Sequence, residues 1–115
     1  GYHICVPFKN SLTWKKFYKI SEDIANILEN TYPETFTTNI RKENRKGKIF
    51  IDYLRNQKSA TFVAPYSIRL RKNASVSMPI SWNELDKVKP NEITIDKALK
   101  RVNKKNPWKD FFTSN

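Results

Sequence analysis

The clearest strand signal in the chain is the heptapeptide KIFIDYL at residues 48–54. Successive residues of a strand point to opposite faces, so Ile49 and Ile51 share one face and Phe50 and Asp52 share the other. Both faces are mainly apolar, which predicts a buried strand and places the carboxylate of Asp52 on a buried face. Shorter strand-like runs occur at residues 3–8, 36–40, 60–64, 67–71 and 76–80.

One long amphipathic helix is predicted at residues 11–32. Its apolar side chains recur at steps of three and four residues, which places them in one stripe along the helix. Ser11 or Thr13 can serve as the N-cap, because a hydroxyl oxygen accepts a hydrogen bond from a free amide of the first turn. Pro33 ends the helix, since the residue before a proline disfavours helical geometry.

The C-terminal half carries the signals of shorter helices. Ser81 and Glu84 have the spacing of a capping box, which opens a short helix to about residue 88. A second helix begins at Thr94 or Asp96 and runs to about residue 102. Along the whole chain, the predicted order is a strand, a long helix, several strands and then small helices. We therefore expect an α+β fold, with a mainly antiparallel sheet and flanking helices.

The charge balance indicates the kind of partner. The chain has 115 residues, with 22 Lys+Arg against 11 Asp+Glu and a formal net charge of +11. This length suits one domain, and a hydrophobic content of 38% is that of a globular protein. A strongly basic domain favours an anionic partner, such as nucleic acid, nucleotides or an anionic membrane face.

Several classes of protein are excluded by the sequence. No apolar run approaches the roughly 20 residues that span a bilayer, and no signal-peptide core is present. Cys5 is the only cysteine, which excludes an internal disulfide and a cysteine-rich zinc site. We therefore expect no membrane partner and a reducing, intracellular location.

Asp52 is the residue whose chemistry the pattern marks most clearly. A carboxylate on a buried strand face must be ion-paired, hydrogen-bonded or bound to a metal. Pairing with Arg55 or with the amide of a turn is one explanation, and a role as metal ligand is the other. The strand pattern alone leaves both open.

Cationic side chains cluster in two places. Arg69 and Arg71 alternate with apolar residues along one strand-like run, and Arg55 follows the KIFIDYL strand. A guanidinium offers a planar pair of donors that suits phosphate, although a solvated strand face also explains a single arginine. The second cluster is the run RKENRKGK at residues 41–48, which predicts a protruding basic loop. Phosphate contact and simple solvation are the two interpretations of that loop.

His3 and Cys5 share one face of the strand-like run at residues 3–8. His3 suits either a structural or a ligand-binding role, and Cys5 suits a small core residue. No phosphate-binding loop, dinucleotide fingerprint, zinc-protease motif or nucleophile elbow is present in the sequence. The residues alone therefore predict a basic α+β domain that binds polyanions.

Longer stretches of the sequence resemble one known family. They read IFIDYLRN at residues 49–56, ATFVAPYSIR at 60–69 and SVSMPISWNEL at 75–85. All three resemble the polymerase domain of bacterial ligase D. This domain is the archaeo-eukaryotic primase-type module of bacterial end joining. The resemblance continues into FTTNIRKENRKGK at residues 36–48 and NPWKDFF at 106–112, so it covers essentially the whole chain.

This resemblance implies roles for individual residues. Residues 1–3 resemble the end of the family's second motif, a Ser-Gly-Gly-Lys-Gly-x-His run, which implies that His3 contacts the phosphates of the incoming nucleotide. Arg55 and Arg69 match arginines that hold the triphosphate. Asp52 matches the third metal-binding carboxylate, which implies a catalytic role at a two-metal site with Mg²⁺ or Mn²⁺. The implied DNA-binding residues are Arg41, Lys42, Arg45, Lys46 and Lys48.

The resemblance also implies an incomplete domain. The family's first motif, an Asp-x-Asp pair that supplies two metal carboxylates, lies upstream of Gly1. Residues 1–115 are therefore expected to be a single partial domain, the C-terminal part of a primase-type polymerase domain, and to be inactive alone. The implied partners are DNA ends, nucleoside triphosphates, the end-binding protein Ku and a ligase module. The implied location is the bacterial cytoplasm, in association with the nucleoid.

Two functions from different classes follow. The first is a fragment of a DNA repair polymerase or primase, which adds nucleotides at DNA ends by two-metal nucleotidyl transfer in non-homologous end joining. The alternative is a non-catalytic basic module that binds nucleic acid through residues 41–48. A membrane-binding role is a weaker explanation, because core burial accounts for the apolar stripe of the long helix.

Overall fold

The computed structural model describes residues 1–104 and 106–113. They divide into two compact units. The first unit is Asn10–Phe62, and the second unit combines Gly1–Lys9 with Val63–Asn115.

Helix α1 of the first unit spans Trp14–Thr31, which confirms the predicted long helix. Thr13, and not Ser11, is the N-cap, because the Thr13 hydroxyl oxygen accepts a hydrogen bond from the backbone N–H of Lys16 at 3.3 Å. The helix ends immediately before Tyr32, the residue that precedes Pro33 and is therefore biased away from helical geometry.

The sheet of the first unit is a parallel pair of two-residue strands, β1 (Phe36–Thr37) and β2 (Ile49–Phe50). The backbone N–H of Ile51 still donates to the carbonyl of Thr37 at 2.9 Å, but no strand is assigned beyond Phe50. The strand predicted at residues 48–54 is therefore shortened to two residues. The predicted, mainly antiparallel sheet is not confirmed, because β1 and β2 pair in parallel. Apolar alternation indicates a strand but does not specify the direction of its partner.

The second unit contains a tight chain reversal. An isolated antiparallel bridge joins Ile68 to Val76, and the backbone N–H of Arg69 donates to the carbonyl of Ser75 at 2.8 Å. On its other side, the backbone N–H of Val76 donates to the carbonyl of Ile93 at 2.8 Å. Within the described part of the chain, no strand of two or more residues is assigned in the runs 3–8, 60–64, 67–71 and 76–80.

Helical segments of the second unit are a 3₁₀ helix, Trp82–Glu84, and helix α2, Ile95–Val102. The capping box is confirmed, because the Glu84 carboxylate accepts hydrogen bonds from the backbone N–H of Ser81 at 2.9 Å and from its hydroxyl at 2.8 Å. The longer helix predicted here is reduced to this 3₁₀ turn. Arg101 of α2 donates to Glu84 at 2.7 Å and so ties α2 to the capping box.

Few apolar side chains are buried within the described residues. Ala25 of α1 is fully buried, and Ile93 and Ala98 are buried in the second unit. Large apolar side chains that are more than half exposed are far more numerous, and they include Ile4, Val6, Ile24, Ile27, Leu70 and Trp82.

Neither α-helix of residues 1–104 and 106–113 combines the length and the apolar character that a membrane span requires.

Candidate nucleic-acid interface

The basic run at residues 41–48 forms a compact loop between β1 and β2. Its centre is a 3₁₀ helix, Lys42–Arg45. The turn after it uses Gly47, whose φ of +72° lies in the left-handed region that glycine adopts without strain. The backbone N–H of Lys48 donates to the carbonyl of Arg45 at 2.9 Å. The loop is therefore folded on its own hydrogen bonds.

The guanidinium of Arg45 is the central contact of this loop. Its Nε donates to the carbonyl of Asn39 at 2.7 Å, and its Nη2 donates to the carbonyl of Ile40. The guanidinium carbon lies 3.5 Å from the centre of the Phe50 ring, a cation–π arrangement. Arg45 is half-buried as a result, so the structure places it inside the loop, while its predicted DNA contact stays a prediction.

Glu29 of α1 binds the segment that leads into the basic loop. Its carboxylate accepts hydrogen bonds from the hydroxyl of Thr37 at 3.0 Å and from the hydroxyl of Thr38 at 2.5 Å. The backbone N–H of Asn39 in turn donates to the Thr37 hydroxyl oxygen at 3.1 Å. The hydrogen bonds from Thr38, and less strongly the positive charge of Lys48, hold the pKa of Glu29 below its usual value.

Four of the five predicted DNA-binding side chains lie on the surface of this loop. Arg41, Lys42, Lys46 and Lys48 are all exposed, and none of them belongs to an ion pair of the described residues. A cluster of solvated cations on a self-folded loop is the arrangement that neutralises phosphates of a nucleic acid backbone.

Asp52 lies two residues beyond β2, in the first unit. The prediction that its face is buried is wrong, because the strand ends at Phe50 and the side chain of Asp52 is exposed. The Asp52 Oδ1 accepts a hydrogen bond from the backbone N–H of Leu54 at 3.2 Å. This contact is the turn-amide interaction that the sequence left open beside the role of metal ligand. An exposed carboxylate with one such bond keeps acceptor capacity for a further ligand.

Arg55 follows in the same unit and is also exposed. Its Nη1 donates to the carbonyl of Thr61 at 3.3 Å, which closes the turn between the two residues. The ion pair between Asp52 and Arg55, one of the alternatives that the sequence left open, is not among the ion pairs of the described residues. The remaining donors of the guanidinium stay available to an anionic ligand.

His3 and Arg69 lie in the second unit, not in the unit that holds Asp52 and Arg55. His3 is exposed, whereas Arg69 is half-buried beside the Ile68 bridge. The four residues that the resemblance assigns to metal and triphosphate are thus divided between the two units.

A metal site is not completed by the residues that the structure describes. Among residues 1–104 and 106–113, no group of three His, Cys, Asp or Glu side chains is placed to hold an ion. A divalent cation such as Mg²⁺ prefers several oxygen ligands, and Asp52 offers a single carboxylate. The donor set of the described residues therefore does not by itself fit the predicted two-metal site.

Three residues that matter at this interface were missed from the sequence: Glu29, Asn39 and Phe50. Asn39 had a signal, because asparagine often accepts a hydrogen bond from the backbone two residues on, and its Oδ1 does so from the N–H of Arg41 at 3.0 Å. Glu29 and Phe50 carried no local signal, since their partners are set by the packing of α1 and β2.

Comparison with known proteins supports one family. A family model described as the LigD primase-polymerase domain matches residues 1–108. The multifunctional non-homologous end joining protein LigD of Pseudomonas aeruginosa is 34% identical over 115 residues, covering 96% of this chain and 14% of that protein. The bifunctional non-homologous end joining protein LigD of Bacillus subtilis is 30% identical, over 97% of this chain and 19% of that protein.

A solved structure resembles the chain in three dimensions. The polymerase domain of Mycobacterium tuberculosis ligase D in complex with DNA matches it with a TM-score of 0.78 and 31% sequence identity. The match covers 84% of this chain and 33% of that one. The chain therefore spans about a third of the solved domain and less than a fifth of the two curated relatives.

Proposed function

Because the chain belongs to the LigD primase-polymerase domain family, we propose that it forms part of a nucleotidyltransferase that adds nucleotides at broken DNA ends in bacterial non-homologous end joining. The names of its relatives, which are end-joining proteins of bacteria, support this assignment. The part of the chain in this activity is to bind DNA and to position a nucleotide.

The observation that carries the DNA-binding role is the arrangement of residues 41–48. Arg45 holds the loop from within, and the exposed cations project from a surface that is already ordered. An ordered loop loses less conformational entropy on binding than a flexible one. The solved relative bound to DNA supports DNA as the anion.

The nucleotide-binding role is assigned to His3, Arg55 and Arg69. In nucleotidyl transfer, the 3′-hydroxyl of the primer attacks the α-phosphorus of the nucleotide and pyrophosphate leaves. Catalysis of this kind depends mainly on positioning and on neutralising phosphate charge. The guanidinium groups of Arg55 and Arg69 supply paired donors for the β- and γ-phosphates, and the imidazole of His3 supplies one more.

Asp52 is assigned as one carboxylate ligand of a catalytic Mg²⁺ or Mn²⁺. Its exposure and its single hydrogen bond leave its oxygens accessible, but the described residues supply no second ligand cluster. The 115-residue chain alone is therefore proposed to be inactive. Its proposed partners in the cell are DNA ends, Ku and a ligase module, in the bacterial cytoplasm at the nucleoid.

The DNA-binding proposal is tested by the salt dependence of binding to a duplex with a 3′ overhang. The proposed test replaces the four exposed loop cations Arg41, Lys42, Lys46 and Lys48 by Gln. Each lost phosphate contact should reduce the slope of log affinity against log salt by about 0.9, so the four together should reduce it by about 3 to 4. The matched control replaces four exposed lysines elsewhere, Lys15, Lys16, Lys87 and Lys100. An equal decrease of the salt slope in both variants would show that the loop is not the DNA interface.

Catalysis is tested in a chimera, in which this chain replaces the matching third of the M. tuberculosis polymerase domain. The chimera should extend a primer, and Asp52→Asn should abolish extension while DNA affinity is unchanged. Asp86→Asn, at another exposed aspartate, is the control. The isolated chain should yield no extended product, and extension by it would contradict the proposed inactivity.

A non-catalytic nucleic-acid-binding module is the second candidate, favoured by the lack of a metal-binding cluster among the described residues. For such a module, Asp52→Asn would change neither DNA affinity nor any activity, and the chimera would not extend a primer. The Asp52 comparison therefore separates the two candidates.

A further inference from the structure

The Leu70 turn, at residues 69–75 of the second unit, is folded on its own backbone hydrogen bonds. The backbone N–H of Arg69 donates to the carbonyl of Ser75, that of Arg71 to the carbonyl of Arg69, and that of Ala74 to the carbonyl of Arg71, each at 2.8 Å. Ser75, at the base of the turn, is buried. The turn therefore has a defined shape within the chain itself.

Leu70 is the central residue of the three-residue turn that the hydrogen bond between Arg71 and Arg69 closes. Its side chain is 102% exposed, which makes it the most exposed large apolar side chain of the described residues. A single exposed leucine is common on protein surfaces and needs no explanation by itself. This leucine differs because an ordered turn presents it and because cationic side chains follow it directly.

The charge around Leu70 is of one sign. Arg71 and Lys72 follow it in the sequence, both are exposed, and neither belongs to an ion pair of the described residues. Residues 53–83 contain no aspartate and no glutamate, so no carboxylate close in the sequence balances these two cations. The turn thus presents one apolar side chain beside two unpaired positive charges, and an anionic partner complements it.

Among anionic partners, duplex DNA fits this combination best. Proteins that kink a duplex insert an apolar side chain such as leucine between base pairs, while their cations neutralise phosphates. Binding to an anionic membrane needs a larger apolar face than one leucine provides. Binding to a single strand uses aromatic rings on which bases stack, and residues 69–75 contain no aromatic residue.

From these observations we infer that the Leu70 turn is a second DNA contact, in which Leu70 inserts between adjacent base pairs of a duplex and Arg71 and Lys72 bind neighbouring phosphates. Insertion requires a base step to unstack, and a mismatched pair unstacks at a lower cost than a matched one. The turn therefore favours duplexes with a mismatch. This inference rests on the proposed DNA-binding function, but its residues belong to the second unit and those of the basic loop belong to the first.

Insertion is tested by the affinity of the 115-residue chain for a fully paired duplex and for the same duplex with one mismatched pair. The native chain should bind the mismatched duplex about fivefold more tightly, because less unstacking is needed there. Leu70→Ser should bring this ratio close to one, and Leu70→Met should retain it, since methionine also serves as a wedge. Leu99→Ser, at an exposed leucine of α2, is the matched control and should leave the ratio unchanged.

The phosphate contacts are tested by the salt dependence of duplex binding. Arg71→Gln with Lys72→Gln should reduce the slope of log affinity against log salt by about 2, whereas Lys87→Gln with Lys100→Gln, at exposed lysines of the same unit, should not change it.

Three outcomes would overturn the inference. They are a mismatch ratio near one for the native chain, a ratio that Leu70→Ser leaves unchanged, and binding to phosphatidylglycerol vesicles, but not to the duplex, that depends on Leu70. If the turn variants match the native chain while the variant of the basic loop has a reduced salt slope, the inference fails and the proposed DNA-binding role stands. If the native chain does not bind DNA, the DNA-binding role itself fails.

Discussion

The basic loop at residues 41–48 and the segment at residues 2–8 are both exposed, but their composition and their backbone hydrogen bonds differ. The loop is polar, and its hydrogen bonds from the Arg45 side chain, to the Asn39 side chain and from the backbone N–H of Lys48 all lie within residues 39–48. The segment at residues 2–8 is mainly apolar, and among the described residues Ile4, Cys5 and Val6 form no backbone hydrogen bond with another part of the chain. A segment stabilised by near neighbours keeps its shape alone, whereas a strand depends on polypeptide that is distant in sequence.

The largest expected effect concerns the capping box, which belongs to the same unit as residues 2–8 and, like the basic loop, is held by near neighbours in the sequence. The backbone N–H of Ser81, and less strongly Arg101, lower the pKa of Glu84 from 4.5 to about 2. A carboxylate with a lowered folded-state pKa stabilises the fold above its unfolded pKa, and this stability is lost as the pH falls through 4.5 towards 2. We expect a loss of about 2 kcal/mol in urea unfolding, after allowance for partial exposure.

Glu84→Gln should remove most of this pH dependence, and Asp86→Asn, at an exposed aspartate, should leave it intact. A pH profile of Glu84→Gln that matches the unaltered chain would show that another carboxylate is responsible.

The next effect concerns the anchor of the basic loop. Glu29→Ala removes the acceptor of two threonine hydroxyls, and Thr37 is buried. An unsatisfied buried hydroxyl costs about 1–3 kcal/mol, so the free energy of unfolding in urea should fall by about 2 kcal/mol. Glu34→Ala, at an exposed glutamate of the same unit, should change it by less than about 0.5 kcal/mol. Equal effects would remove Glu29 as an anchor.

A smaller effect is expected inside the loop. Arg45→Ala removes two hydrogen bonds to carbonyl groups and the contact with Phe50. We expect a loss of about 1–2 kcal/mol in urea unfolding. Arg41→Ala is the control, because its side chain is exposed in the same loop. If Arg41→Ala is the more destabilising change, the loop is not held by Arg45.

The smallest effect is expected in the segment at residues 2–8. Ile4→Ser should change the free energy of unfolding of the chain alone by less than about 0.5 kcal/mol, because the side chain is 72% exposed. Ile93→Ser, at a buried isoleucine of the same unit, should cost about 2–4 kcal/mol. A large cost at Ile4 would mean that the segment at residues 2–8 is already packed within the chain, which would contradict its contrast with the loop.

Features that depend on near neighbours were predictable. The N-cap at Thr13 and the capping box of Ser81 and Glu84 follow from side chains that reach backbone groups three residues away. The cationic surface of the loop follows from its composition. The burial of Asp52 was predicted wrongly, because the strand ends at Phe50 and an apolar pattern does not specify the residue at which a strand ends.

By itself, the sequence determined the family, the long helix, the caps and the charge of the loop, since each is encoded in residues that lie close together or in contiguous motifs. Only the tertiary structure decided that Arg45 packs on Phe50, that Glu29 holds Thr37 and Thr38, and that β1 and β2 pair in parallel. Such contacts arise when segments meet in space. Their energy depends on distance and burial, which no local pattern of residues specifies.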